Sequence, residues 1–178
     1  MKKVTMIKSL ALALCAWCVA GTAWADVVTS GNAYRLVHQQ TGKVVSNGNN
    51  GAKDRKFLLE VKDLENDGQE WTLQQLYANK EVFFVYNAHH RMAIDMMLNS
   101  NQASPALVQW YVEASDNQNF LIQEVEGLSE VYQFVAAAQP TKLLKGNSDG
   151  TLRMTEDFAD EATYFALEAT GDNNHITF

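Results

Sequence analysis

The side chains of this chain that could do covalent or metal chemistry are few, and their spacing works against it. Both cysteines, Cys15 and Cys18, fall in the first 25 residues. The histidines are His38, His89, His90 and His175. His89 and His90 are neighbours in a turn-forming stretch, where adjacent side chains do not converge on one ion, and no regularly spaced carboxylate joins them. None of the serines after the leader has a nucleophile-elbow context. The acidic stretch DLENDGQE, residues 63–70, partly meets calcium-loop spacing through Asp63, Glu65, Asp67 and Gly68. It lacks the glutamate at the twelfth position, and its flanks read as strands, so a solvated hairpin turn is expected. A glycosidase needs two carboxylates held across a cleft. Asp95 and Glu113 are a pair the sequence leaves open. The reading is of a non-enzymatic chain with no cofactor and no metal.

The N-terminus reads as an export signal. Lys2, Lys3 and Lys8 precede the apolar run SLALALCAWCVAG, and Ala23-Trp24-Ala25 is a small-x-small cleavage site. Cleavage is expected before Asp26. The run is shorter than the roughly 20 residues a membrane span needs. A redox reading of Cys15 and Cys18 fails because the leader is discarded. The mature chain, 26–178, then has no cysteine and must fold without disulfides. It carries eleven Lys and Arg against 21 Asp and Glu, a net charge of −10. That balance disfavours nucleic acid and anionic membrane surfaces as partners. The expected location is the periplasm, the cell surface or outside.

The elements that must position any site come from an internal repeat. Trp71, Phe120 and Phe165 each head an alternating apolar run, in QEWTLQQL, NQNFLIQEV and TYFALEAT. Each follows an aromatic or β-branched opening strand: Tyr34 to Val37, Phe83 to Tyr86, and Tyr132 to Val135. A second strand comes after a polar turn, over 43–46, 92–96 and 142–145. A loop rich in Asn, Gly and Ser follows. Third strands are expected over 57–62, 106–112 and 152–154, and fourth strands over 71–76, 120–125 and 165–169. Helical composition in VQWYVEASDNQNFLIQEVEGLSEVYQFVAAA competes, but DNQN and EGLSE interrupt it and strand-length alternation fits better. The expectation is an all-β chain of twelve strands in three units, roughly 33–79, 80–128 and 129–170. No unit buries its apolar face alone, so the three must share one core. The expected core is Tyr34, Leu36, Val44, Leu58, Trp71, Leu73, Phe83, Val85, Ile94, Val108, Phe120, Ile122, Phe134, Leu143, Leu152, Phe165 and Leu167.

Three units in register, each closing on an aromatic, two of them in the form Gln-x-aromatic, resemble the ricin B-like β-trefoil lectin family. The carrying segments are YRLVHQQTGKVVS and GQEWTL in the first unit, and MAIDMM, VQWYV and NQNFLI in the second. TKLLKGN and TYFALE carry it in the third. The resemblance spans about residues 33–169 and is to a divergent, bacterial, secreted member. It implies a β-trefoil of three pseudo-symmetric four-stranded repeats and a carbohydrate-binding module. Carried over position by position, it implies a sugar site in the middle unit at Asp95, Tyr111 and Asn117, with Gln118 behind them. Trp110 takes the apolar third-strand position, or exchanges roles with Tyr111 by a one-residue slip. The other units depart from the pattern. Ser46, Lys62 and Gly68 stand in the first, and Lys145, Ala162 and Thr163 in the third, so both read as scaffold.

Those residue types suit a sugar. Asp95 can accept charge-assisted bonds from two adjacent hydroxyls. Tyr111 or Trp110 can cover an apolar C–H face, and Asn117 can donate and accept at a third hydroxyl. Local roles compete: Asp95 as a turn acid, one ring as core, and Asn117 with Gln118 as backbone ties in the hairpin. The expected partner is a glycan or polysaccharide. The acidic surface disfavours sulfated ones. The alternative is a protein-interaction or structural trefoil with no working sugar site.

Overall fold

The computed structural model describes residues 28–48, 57–77, 81–97, 105, 107–113 and 115–173. The leader, His175, Ser100 and Ser104 lie outside them. The described strands form three quartets. The first is β1 (Asn32–His38), β2 (Val44–Ser46), β3 (Leu58–Glu60) and β4 (Trp71–Gln75). The second is β5 (Val82–Asn87), β6 (Met92–Met96), β7 (Leu107–Tyr111) and β8 (Asn119–Glu124). The third is β9 (Val131–Ala136), β10 (Leu143–Gly146), β11 (Leu152–Thr155) and β12 (Phe165–Asn173). Each falls on a stretch whose alternation predicts it. β7 and β8 run through the segment of helical composition, because their alternate residues have a core to face. No helix among the described residues is long and apolar enough to cross a membrane.

Six strands close on themselves. β1 pairs with β4 and β12, β4 with β5, β5 with β8, β8 with β9, and β9 with β12. The closed ring leaves no barrel edge to template aggregation. The other six strands form the hairpins β2–β3, β6–β7 and β10–β11. Each hairpin joins the barrel through one ladder pair: Val37↔Val44, Tyr86↔Ala93 and Val135↔Leu143. This three-fold relation defines a β-trefoil.

The recurring aromatics are its anchors. Trp71, Phe120 and Phe165 are all buried in one cluster. Phe57 meets Trp71 edge-on, and Phe134 meets Phe165 likewise, at centroid separations of 5.4 and 5.9 Å. The Trp71 indole N–H donates to the Val45 carbonyl at 2.9 Å. Phenylalanine has no N–H to satisfy, so it can fill the other two places without such an acceptor.

The core expectation fails at several positions. Val44, Val108 and Leu143 are buried but outside the shared cluster, which Val45, Leu107 and Leu144 join instead, and Leu167 packs against it only partly buried. Leu58 is exposed, and Leu59 is buried in its place. Leu59 sits opposite Val45, which faces the shared core. A strand reverses its faces with every one-residue shift, so two adjacent leucines cannot be ordered by pattern alone. Ile94↔Gln109 and Leu144↔Met154 are the matching pairs in the other hairpins. Gln109 is therefore a buried amide where its counterparts are apolar. Its Nε2 donates to the Asn47 carbonyl at 3.3 Å, tying the second hairpin to the first unit.

The polar loops before β4, β8 and β12 are single 3-10 turns over Asp67–Gln69, Asp116–Gln118 and Glu161–Thr163. Asn66 and Asp160 cap two of them by accepting from the Gly68 and Ala162 amides. β12 runs on past Ala169 to Asn173 and pairs Asn32 with Asn173. That draws the chain after Ala169 against the start of β1.

Candidate functional site

The closing-motif glutamine builds the site. Gln118 is fully buried. Its Nε2 donates to Asp95 Oδ2 at 2.9 Å and to the Tyr111 carbonyl at 2.8 Å. Its Oε1 accepts from the Glu113 amide at 3.1 Å. One side chain thus locks the end of β7 to β6. Asn117 Nδ2 donates to Asp95 Oδ1 at 2.6 Å. Asp95, Asn117 and Gln118 are brought together as one hydrogen-bonded group.

Asp95 is only 6% exposed, yet it lies on the outward face of its hairpin. Its ladder partner is Val108, while neighbouring Ile94 and Met96 belong to the core. Burial pushes the Asp95 carboxyl above the usual range. The Gln118 and Asn117 amides pull it back, and the Glu113 charge adds to the rise. Each oxygen already accepts one bond. A carboxylate offers about four lone-pair positions, so acceptor capacity remains for ligand hydroxyls.

The two aromatics separate by face. Paired residues on an antiparallel ladder project to the same side. Trp110 pairs with Ala93, two residues from Asp95, and so shares the Asp95 face. Tyr111 pairs with Met92 on the other side and is 57% exposed at the strand end. Their ring centroids are 6.4 Å apart and edge-on. Trp110 is partly exposed, and its indole N–H donates to Glu113 Oε1 at 3.3 Å. Neither ring is core. Glu113, weighed in the sequence only as a second carboxylate, is the acceptor for the indole N–H.

The first unit repeats the clamp without the site. Gln69 donates to the Val61 carbonyl at 2.9 Å and accepts from the Asp63 amide at 2.8 Å. This makes Val61, not Lys62, the counterpart of Tyr111. The sequence alignment is one residue off because nothing in the strand itself fixes register. Ser46, in the Asp95 place, accepts from the Gly48 amide at 2.9 Å. In the third unit Thr163 replaces the glutamine. Gln133 enters from β9 instead, donating to the Phe158 carbonyl at 2.9 Å and to Thr163 Oγ1 at 2.7 Å. No motif in the sequence marks that substitution.

The histidines diverge. His89 Nε2 meets Glu70 Oε2 at 2.9 Å, and His90 Nδ1 meets Asn47 Nδ2 at 3.1 Å. His38 is buried between Thr41 Oγ1 and the Ala162 carbonyl, at 2.9 and 3.0 Å. Among the described residues no three His, Cys, Asp or Glu side chains are grouped to hold a metal ion. The DLENDGQE stretch folds as a capped turn. Glu70 points inward and pairs with the buried Arg35 at 2.5 Å.

Comparison with known proteins places the fold. No family model matches the sequence, and no curated protein matches it. Solved structures do match. A designed three-fold symmetric protein, ThreeFoil, is 18% identical with a TM-score of 0.68, covering 76% of this chain and 97% of that one. The exo-β-1,3-galactanase 1,3Gal43A from Clostridium thermocellum is 16% identical with a TM-score of 0.67. That match covers 80% of this chain but 31% of the enzyme. A Macrolepiota procera ricin B-like lectin, solved with lactose, is 13% identical with a TM-score of 0.60, covering 79% and 97%. The chain is a β-trefoil whose structural neighbours include ricin B-like lectins.

Proposed function

We propose that this chain is an exported carbohydrate-binding module with no catalytic activity of its own and one shallow sugar site in the second repeat. The observation that carries the reading is Asp95. Its carboxylate is held by Asn117 and Gln118 beside Trp110, on the outward face of the β6–β7 hairpin. The first and third repeats have no acid at the matching place.

Asp95 accepts from two adjacent sugar hydroxyls, and the fixed amides hold it in the right rotamer. Trp110 covers the C–H face of the ring, steadied by Glu113. Asn117 reaches a further hydroxyl, and Tyr111 forms the rim. Gln118 is buried and acts through Asp95. A single open site gives weak monovalent affinity, so useful binding requires display of several copies or a multivalent glycan. The partner is a glycan or polysaccharide met after export through the leader over 1–25. Any catalysis belongs to another protein.

One observation favours the second reading, a protein-interaction or structural trefoil. Asp95 is nearly buried, and both its oxygens are already bonded internally. On that reading the group only stiffens the hairpin.

The test is a glycan array probed with the multivalently displayed chain and with Asp95→Ala. Wild-type binding that vanishes in a folded Asp95→Ala variant supports the lectin. Silence from both folded proteins sinks it for the sugars tested and favours the second reading.

A further inference from the structure

The place in the third repeat that matches the Asp95 site is a cavity of about 620 Å³, lined by Lys145, Asn147, Arg153, Met154, Thr155, Glu156 and Asp157. That volume is within the roughly 300–1,000 Å³ of small-molecule sites. Its chemistry is inverted. Lys145 stands where Asp95 stands, and its ladder partner is Arg153. Thr155, two residues on from Arg153, lies on the same face. Like charges directly opposite on a ladder are destabilising, so this pair is a local cost on a chain of net negative charge.

Among the described residues, nearby acids pair with Lys145 but not with Arg153. Lys145 is paired with Asp160, whose carboxyl it holds below the usual range. Glu156 is committed to Lys142 at 2.8 Å. Asp157 Oδ1 accepts from the Ala159 amide at 3.0 Å. Asp149 is near enough to Arg153 to feel its charge, but its Oδ1 is held by the Thr151 amide and hydroxyl at 3.0 and 2.6 Å. Among the described residues the Arg153 guanidinium is in no hydrogen bond and no ion pair. It is a planar fork of donors, exposed at the wall of a sugar-sized cavity.

We propose that the third repeat binds a carboxylate-bearing sugar of the uronic acid type, with Arg153 as its specificity-determining residue. The guanidinium takes the carboxylate in a bidentate pair. Asn147 and Thr155 supply hydroxyl contacts. The proposal does not depend on the Asp95 reading.

The experiment is an NMR titration of the isotope-labelled chain with galacturonate, galactose and acetate, read at the backbone amides of residues 153–157. Galacturonate is expected to shift these amides with an affinity about tenfold above that for galactose or acetate. Arg153→Gln should remove that advantage, and Arg153→Lys should keep part of it. Asp95→Ala should leave this titration unchanged while abolishing any galactose response around β6. The proposal is overturned if acetate binds as well as galacturonate, if no shift occurs, or if Arg153→Gln changes nothing. It is also overturned if Asp95→Ala removes the shifts.

Discussion

Gln69 and Gln118 make the same bridge one repeat apart. Each donates to the carbonyl that ends the third strand of its unit, Val61 or Tyr111, at 2.9 and 2.8 Å. Each accepts from the amide two residues further on, Asp63 or Glu113. Both side chains are buried, so removing either leaves main-chain groups without partners. Gln69→Ala and Gln118→Ala should each lower stability in urea denaturation by about 1–3 kcal/mol. Of the two, only Gln118→Ala should also weaken the proposed glycan binding, because Gln118 bonds Asp95 and Gln69 bonds no acid side chain.

Stability should depend on pH through Asp95, and so should glycan binding if Asp95 is the sugar site proposed above. Burial raises its folded-state carboxyl above the ordinary aspartate value of 3.8. The stability it contributes is complete below that value and is lost as pH rises through the raised folded value. Asp95→Ala should remove this part of the pH dependence, measured by unfolding midpoints across the acid range. Binding runs the other way. Glycan affinity should fall as pH drops through the raised value, because a protonated Asp95 loses its charge-assisted acceptor role.

His38 acts in the opposite sense. Burial pushes its pKa below the ordinary 6.5, against the Ala162 carbonyl and the Asp160 charge that raise it. Its contribution to stability is present above 6.5 and is lost as pH falls through the lowered folded value. Asparagine holds the matching place in the second repeat, where Asn87 Nδ2 donates to the Asp67 and Glu70 carbonyls at 2.9 and 3.0 Å. His38→Asn should flatten the fall in unfolding midpoint below pH 6.5. An unchanged slope would show that another group governs it.

Arg35 and Glu70 form a buried pair, and His89 closes on the second Glu70 oxygen. Glu70→Ala strands the Arg35 charge and should cost about 3–5 kcal/mol, measured by urea denaturation. Replacing Arg35 and Glu70 together with apolar residues should cost clearly less than Glu70→Ala alone.

Gly42 and Arg91 occupy the same turn position in the first two repeats. Each amide closes the same turn, Gly42 onto the His38 carbonyl and Arg91 onto the Asn87 carbonyl, at 2.9 and 3.0 Å. Both have left-handed backbones, with φ of 66° and 54°. Glycine adopts that conformation freely, whereas a side chain costs roughly 1–2 kcal/mol there. Arg91→Gly should therefore raise the thermal midpoint, and a lowered one would show that the arginine side chain contributes more than its backbone strain.

Much of this protein was determined by its sequence. Alternation fixed the twelve strands, and the recurrence of Trp71, Phe120 and Phe165 fixed their grouping, because buried faces must repeat when units share a core. The grouping of Asp95, Asn117 and Gln118 was legible only through the resemblance to the ricin B-like pattern, since nothing in the spacing of 95 and 117–118 brings β6 to the turn before β8. Register was left to the tertiary structure. Whether Leu58 or Leu59 turns inward, and whether Trp110 or Tyr111 joins Asp95, depends on a one-residue offset that only ladder pairing sets. The rescue of the third-repeat turn by Gln133, and the pairing of Lys145 with Arg153, join residues on different strands. No periodicity encodes such contacts, because closing the barrel and its hairpins is what brings those strands together.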